Sequence, residues 1–497
     1  MRRAWQLPLS IDRAGDAPVA VQIARGLVAR IRAGALRPGA RIPSSRSLAR
    51  TLSVHRNTVL AAYAELEAEG WIATAAARGT FVSRELPLRP PRPLEPPGHP
   101  PPAKAGFELP PAPAMSAPPP EPGVLQLLGG VPDPRLVPVA ALARAYRRAL
   151  RRREHLSYGD SQGHPRLRAA LAAMLGEARG LGVAPEGLLV TRGAQMALAL
   201  AARALLPPGA AVAVEALGYR PAWEALRLAG ARVVQVPLDA RGLDVEALAR
   251  RVSPERIRAV YLTPHHQYPT TVTLSAGRRL ALLDLARRER LVVLEDDYDA
   301  EFHYQGRPVA PLASADGAGS VVYVGTLSKV LAPGLRIGFL AGPPDAVARA
   351  TAHRHFLDRQ GDLAFEAAVA ELFEEGEAQR HVWRARRAYA ARREALAAAL
   401  RAELAGALDF HPPPGGMAMW CRIAGGIDAE AWAARALAGG VAVQPGRQFA
   451  FDGRPRPFLR RGFGRHDEEE LGEAVRRLAA AMPPRGARRA PSWAAPC

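Results

Sequence analysis

Among the 67 Lys and Arg residues of this 497-residue chain, only Lys104 and Lys329 are lysines. The distinction is chemical, because a primary amine condenses with an aldehyde to give an imine and a guanidinium does not. Lys329 lies in SVVYVGTLSKVLAPGLRIGFLAG, just after an apolar run, with the hydroxyls of Thr326 and Ser328 on the same loop. Further along, after a Pro-Gly turn, Arg336 can clamp a phosphate through parallel N–H donors. In LVVLEDDYDAEF, acids and a tyrosine gather at the end of a second apolar run. Asp296 is the carboxylate suited to face a protonated ring nitrogen, and Tyr298 the phenol suited to a ring oxygen; Asp297 and Asp299 are expected in a solvated loop. A third piece, LLVTRGAQMALALAARALL, passes from strand to helix through Gly193. Amides around Gly193, Ala194 and Gln195 at that helix start can hold a phosphate without a side-chain charge. An imine-forming lysine, an anion for a pyridinium and a phosphate cradle are together what pyridoxal 5'-phosphate needs, since the protonated ring then acts as an electron sink.

Bringing these groups together requires strands that end at a common edge. Apolar runs at 188–190, 211–217, 232–238, 259–264, 291–297, 320–325 and 336–342 read as buried strands, with amphipathic helical stretches between many of them. That alternation predicts an α/β sheet covered on both faces. Beyond about residue 350 the pattern changes. HVWRARRAYAARREALAAALRAEL predicts a long arginine-studded helix, and short strands such as MAMWCRI follow. Residues 124–482 are thus expected to form one α/β domain with a smaller α+β lobe mainly at 350–482, followed by a basic tail, 483–497, expected to be disordered.

The first 85 residues read as a separate unit. Residues 1–84 carry thirteen arginines against five acids. Val19, Ile23, Leu27 and Ile31 recur every four residues and give one apolar helical face. RPGARIP breaks the chain, Ser44 is placed to cap SRSLARTL, and Ser53 marks a tight turn. A third helix follows with Val59, Tyr63 and Leu66 on one side, and Gly70 ends it. Trp71-Ile72 and Thr80-Phe81-Val82 predict two short strands around an Arg78-Gly79 tip. Helix, turn, helix and wing make a DNA-binding arrangement. His55, Arg56, Asn57 and Thr58 cluster at the start of the third helix, within reach of groove edges and phosphates, and Arg46 is placed for a phosphate contact. Double-stranded DNA is the expected partner of this α+β winged helix-turn-helix.

Between residues 87 and 122, 16 of the 36 residues are proline. Proline removes backbone donors and fixes φ, so 86–123 should be a semi-rigid tether rising about 3.1 Å per residue, roughly 100 Å if fully extended. Two cysteines, Cys421 and Cys497, supply neither a disulfide framework nor metal-ligand spacing. No apolar run has transmembrane or signal-peptide length. A cytoplasmic protein without membrane partners, on the nucleoid when bound to DNA, is the expectation; the formal charge of +20 suits a polyanionic partner.

RIPSSRSLARTLSVHRNTVLAAYAELEAEGWIATAAARGTFV resembles the GntR family of winged-helix regulators. By that resemblance Arg46, Arg56, Thr58 and Gly79 match DNA-contacting positions, with His55 and Asn57 as base readers and Arg78 beside them on the wing. LSYGDSQGHPRLRAAL, TPHHQYPTTVTLSAGRRLALLDLA, EDDYDAEF and GTLSKVLAPGLRIGF resemble the fold-type I aminotransferases, and the fusion resembles the MocR/GabR-type branch of GntR regulators. The resemblance implies an internal aldimine at Lys329, Asp296 at the pyridinium, Tyr298 at the ring oxygen and Arg336 on the phosphate. It also implies a homodimer, with Tyr158 reaching the partner's cofactor, and Arg460 of FLRRGFGR gripping an effector carboxylate. Two departures stand out. The usual PTG turn is Pro269-Thr270-Thr271, with Gln267 in place of the ring-side asparagine. Tyr219 matches a ring-lining position, but the arginine of GABA-responsive members is Pro221, with Arg220 beside it, so GABA does not carry over as effector. The implied function is a transcription regulator that senses a small amine or amino acid by aldimine exchange at Lys329. The alternative is a working aminotransferase with a DNA-binding head, which would use the same lysine and aspartate.

Overall fold

The computed structural model describes residues 9–13, 17–75, 78–87, 105–109 and 122–484, in two compact units that divide between Ala112 and Pro113. Most of the proline-rich tether and nearly all of the 483–497 tail lie outside the described residues.

The helices of the N-terminal unit follow its apolar periodicity. They span Val19–Arg32, Ser45–Leu52 and Arg56–Ala68. Ile23, Leu27 and Ile31, Leu48, and Val59, Tyr63 and Leu66 close on a single core. Ser44 Oγ accepts from the Ser47 amide at 3.2 Å, a cap worth about 1 kcal/mol. Ser53 ends the second helix in the left-handed region at φ 52°, which turns the chain into the third. Ile72–Ala75 and Gly79–Val82 pair antiparallel, with Ile72 opposite Val82. Buried Trp71 joins this wing to the core.

Seven strands form the large sheet of the second unit, in the order Leu188–Thr191, Gly338–Ala341, Val321–Thr326, Val292–Asp297, Ile257–Leu262, Ala211–Glu215, Arg232–Val236. Only Gly338–Ala341 runs antiparallel to its neighbours. Alternate residues serve opposite faces. Val212, Val214, Tyr261 and Leu294 pack with Leu198, Trp223 and Leu226, while Ala213, Val260, Leu262 and Val293 pack with Leu248, Leu282 and Leu285. Burial on both faces is why these strands read as continuous apolar runs. Lys329 and Asp296 lie at the carboxyl ends of adjacent parallel strands, where open α/β sheets place ligands.

The small lobe is a four-stranded antiparallel sheet, Leu408–Asp409, Ala418–Ile423, Phe458–Gly462 and Gln444–Pro445, with Glu377–Glu403 and Glu468–Ala480 among its helices. Tyr389, Leu396, Leu400, Trp432, Phe463 and Leu478 build its core. It also recruits Leu125–Gln126, paired with Val441–Ala442 from far along the chain. Pro344–Leu357 and Leu363–Glu374 pack with large-sheet residues through Val347, Ala350, Val369 and Ala370, so large-lobe packing continues past the change of pattern near 350.

Candidate cofactor pocket and DNA-reading helix

On the N-terminal unit, His55 caps the third helix: its Nδ1 accepts from the Asn57 amide at 3.2 Å. His55, Arg56 and Asn57 are exposed, and Thr58 is half-buried. Arg56 Nε donates to Ser45 Oγ at 3.4 Å, tying the second helix to the third. Arg46 and Arg78 are also exposed. Gly79 sits at φ 113°, and a methyl there would come within 2.9 Å of Arg41 Nε. Arg41 therefore lies along the wing, a cation that the sequence motif had not singled out.

In the larger unit, Lys329 follows the Val321–Thr326 strand and is half-buried. Burial and the nearby Arg460 charge lower its amine to about 8, against the pull of Asp299 and Asp296. Asp296 is buried; its Oδ2 accepts from the Tyr261 hydroxyl at 2.9 Å, while its Oδ1 has no hydrogen-bond partner. Burial raises this carboxyl to about 6. Tyr298 donates through its hydroxyl to the His266 carbonyl at 3.0 Å.

The expected phosphate cradle is built largely on backbone. Gly193, at φ 77°, precedes the Ala194–Leu205 helix, and Arg336 Nη2 donates to the Arg192 carbonyl at 2.8 Å. A methyl on Gly193 would lie 3.0 Å from that guanidinium, and one on Gly338 would lie 2.9 Å from the Ala194 nitrogen. Thr326 Oγ1 lies 3.0 Å from Ser328 Oγ and accepts from the Ser328 amide at 3.1 Å, fixing the lysine loop. The Gln195 side chain lies against Tyr219, where its amide supports the phenol oxygen. Gly193→Ala should strain a left-handed residue by about 1–3 kcal/mol and push Arg336 aside. Cofactor affinity should fall about tenfold or more, read by spectral titration of the apoprotein; unchanged affinity would place the phosphate elsewhere.

Arg460 is 1% exposed. Its guanidinium lies 4.2 Å above the Tyr268 ring, its Nε donates to the Pro269 carbonyl at 3.3 Å, and its Nη1 is unpartnered. A side chain on Gly129 would overlap that guanidinium, and a methyl on Gly130 would lie 3.7 Å from Lys329 Nζ. The Gly129-Gly130 pair thus lets backbone approach both cations. Adjacent glycines in LLGGVPD were the available signal for such an approach.

Some expected placements are corrected, and others are located. Gln267 spends its amide on the backbone, donating to Leu217 and Tyr268 carbonyls at 2.8 and 2.7 Å and accepting from Thr270. It secures the turn rather than facing a ring. Tyr268, one residue on, faces the pocket instead, with its ring centroid 5.3 Å from Tyr219 and 6.0 Å from Tyr298. Asp297 and Asp299 are buried, not solvated. Asp297 pairs with buried Arg179 and accepts from Tyr323 at 2.9 Å; Asp299 bonds His266 Nδ1 at 2.8 Å. The expectation failed because Asp297 still belongs to the buried strand and both acids meet partners remote in sequence. Tyr158 is exposed, with the Arg359 guanidinium 4.2 Å from its ring centre, and Arg220 is an exposed first residue of the Arg220–Leu228 helix.

Comparison with known proteins matches residues 19–82 to the bacterial regulatory proteins of the gntR family and residues 126–478 to the class I and II aminotransferases. The chain is 33% identical over 485 residues to the probable rhizopine catabolism regulatory protein MocR of Rhizobium meliloti, covering 95% of this chain and 96% of that one. It is 34% identical over 473 residues to the HTH-type transcriptional regulator TauR of Rhodobacter capsulatus, covering 91% and 94%. Among solved structures, LysN, an α-aminoadipate aminotransferase of Thermus thermophilus complexed with N-(5'-phosphopyridoxyl)-L-leucine, matches with TM-score 0.66 and 34% identity, over 72% of this chain and 92% of that one.

Proposed function

Because this chain belongs to the MocR-type GntR regulators, a gntR-family DNA-binding unit joined to an aminotransferase class I and II domain, we propose that it is a homodimeric, cytoplasmic regulator whose operator binding answers to an amino acid captured at Lys329. The carrying observation is the cation pair in the pocket. Arg460 is buried with an unpartnered Nη1, and burial together with the Arg460 charge lowers the Lys329 amine to about 8. A buried, unpaired guanidinium is costly unless an anion joins it. A ligand bearing both an amino group and a carboxylate satisfies the two together, which favours an amino acid over a simple amine.

The aminotransferase fold implies pyridoxal phosphate, and the residues present fit it. Asp296 Oδ1 is a buried polar atom lacking a partner, and the Gly193 helix start beside Arg336 is an anion cradle. When bound, this cofactor supplies an aldehyde that condenses reversibly with primary amines and a ring that accepts electrons. Lys329 would hold that aldehyde until an incoming amine takes its place. Asp296 would keep the ring nitrogen protonated, and Tyr298 and Tyr268 would wall the pocket. Arg336 and the amides after Gly193 would hold the phosphate. Arg460 would orient the carboxylate of the incoming ligand, and release of Lys329 would alter the closure of the small lobe. An effector shifts operator occupancy only by its differential affinity for the two states.

Exposed Tyr158 is available to a second subunit's pocket, as the homodimer requires. On the DNA side, Arg56→Ala should weaken operator binding across sequences and reduce the salt slope by about 1, the signature of one lost phosphate contact. Fluorescence anisotropy against ionic strength measures it, and an unchanged slope would remove Arg56 from the interface. The whole proposal is tested by titrating labelled operator DNA with the holoprotein in the presence of each common amino acid. One class should change the affinity in wild type and not in Arg460→Gln. If no amino acid changes it, while the holoprotein transfers amino groups to a keto acid over many turnovers, the chain is an aminotransferase with a DNA-binding head. That second function is kept in view because Lys329 and Asp296 would serve it equally.

A further inference from the structure

Behind the cofactor pocket, three histidines converge from two loops. His265 and His266 follow the Ile257–Leu262 strand, and His303 follows Val292–Asp297 and bridges to Gly415 of the small lobe. All three are buried, and one ring nitrogen from each lies within 4.8 Å of the other two. The His265 and His266 ring centroids are 4.3 Å apart, and the His266 and His303 rings are nearly parallel, 10° between planes. Both nitrogens of His265 lack any hydrogen-bond partner, and His303 finds only the backbone of Gln305 beside it. Buried imidazoles normally find partners, and each orphaned polar atom costs about 1–3 kcal/mol. Imidazoles this poorly satisfied, gathered in one buried cluster, call for a ligand.

We propose that His265, His266 and His303 form a binding site for a divalent transition metal of the zinc class, tying the large-lobe loops to the small-lobe turn at Gly415. Imidazole nitrogens select zinc, copper or nickel over magnesium or calcium, which require oxygen ligands. Zinc–nitrogen bonds of about 2.0–2.1 Å place tetrahedral ligands roughly 3.4 Å apart, within reach of ring rotations from the present separations. Asp299 supplies the usual support, since its Oδ1 holds His266 Nδ1 at 2.8 Å and leaves Nε2 to face the metal. Three protein ligands leave a fourth position for water. The site also bears on the pocket, because the His266 carbonyl accepts the Tyr298 hydroxyl at 3.0 Å. A metal on His266 would therefore stiffen the wall on which Tyr298 is held.

The test uses the full-length holoprotein, prepared without a polyhistidine tag, equilibrated with Zn²⁺ and dialysed. Elemental analysis should find about one zinc per chain. His265→Asn and His303→Gln should each lose it, and His353→Gln, at an exposed histidine, should keep it. Asp299→Asn should weaken affinity about 10–100-fold in competition with a chromophoric chelator. Wild type that retains no zinc, or zinc retained in both His265→Asn and His303→Gln, would overturn the proposal. Should those variants fail to fold, Co²⁺ bound to wild type decides it. The intense visible absorption of four-coordinate cobalt supports the site, whereas the weak spectrum of an octahedral, water-bound ion overturns it.

Discussion

Lys329→Ala should abolish covalent attachment of the cofactor completely while leaving operator binding by the N-terminal unit intact. The other lysine, Lys104, falls in the tether, and arginine cannot form the same bond at any position. Burial and the Arg460 charge bring the Lys329 amine to about 8, so a substantial fraction is neutral and nucleophilic near pH 7–8. Borohydride treatment of the wild-type holoprotein should therefore fix the cofactor to a single peptide, the one containing Lys329. Lys329→Arg keeps the positive charge and should be as inactive in this assay as alanine, which separates nucleophilicity from electrostatics. Both variants should still take up cofactor reversibly, because the Gly193 helix start, Arg336 and Asp296 are untouched. Reductive labelling on any other peptide would refute the assignment of Lys329.

The largest expected loss of stability follows Arg179→Ala. Arg179 and Asp297 are an ion pair with side chains 4% and 1% exposed, and Tyr323 donates to the same carboxylate at 2.9 Å. Removing one member leaves the other charged and desolvated, which typically costs about 3–5 kcal/mol. The midpoint of chemical denaturation of the large unit should fall accordingly. Arg179→Met combined with Asp297→Leu should recover much of the loss, since an apolar pair carries no desolvation penalty. By contrast, Arg476→Ala should change stability by less than about 1 kcal/mol, because its pair with Glu473 is solvent-exposed. Equal losses at the buried and exposed pairs would show that burial does not control the energetics here.

The sequence alone carried the elements and the chemistry that depend on local pattern. Strands buried on both faces appear as apolar runs because both sides of each must exclude water, so all seven were legible near their observed positions. Ser44, Ser53 and the His55–Thr58 cluster were legible because capping and turn formation are local. The positions of Lys329 after a strand, Asp296 at a strand end and Gly193 before a helix were legible because the ends of strands and helices show in local pattern. Contacts made across distant segments were not. Gln267 and Tyr268 are neighbours, and only the fold of the turn decides which one faces the pocket. Asp297 is an acid in an acidic run until Arg179, over a hundred residues earlier, is packed against it. Arg460 becomes a buried, unpaired cation only where Gly129 lets it pass. Pattern along a chain records which faces exclude water and where backbone bends; the partner of a buried charge is set by chain crossings that bring remote residues together.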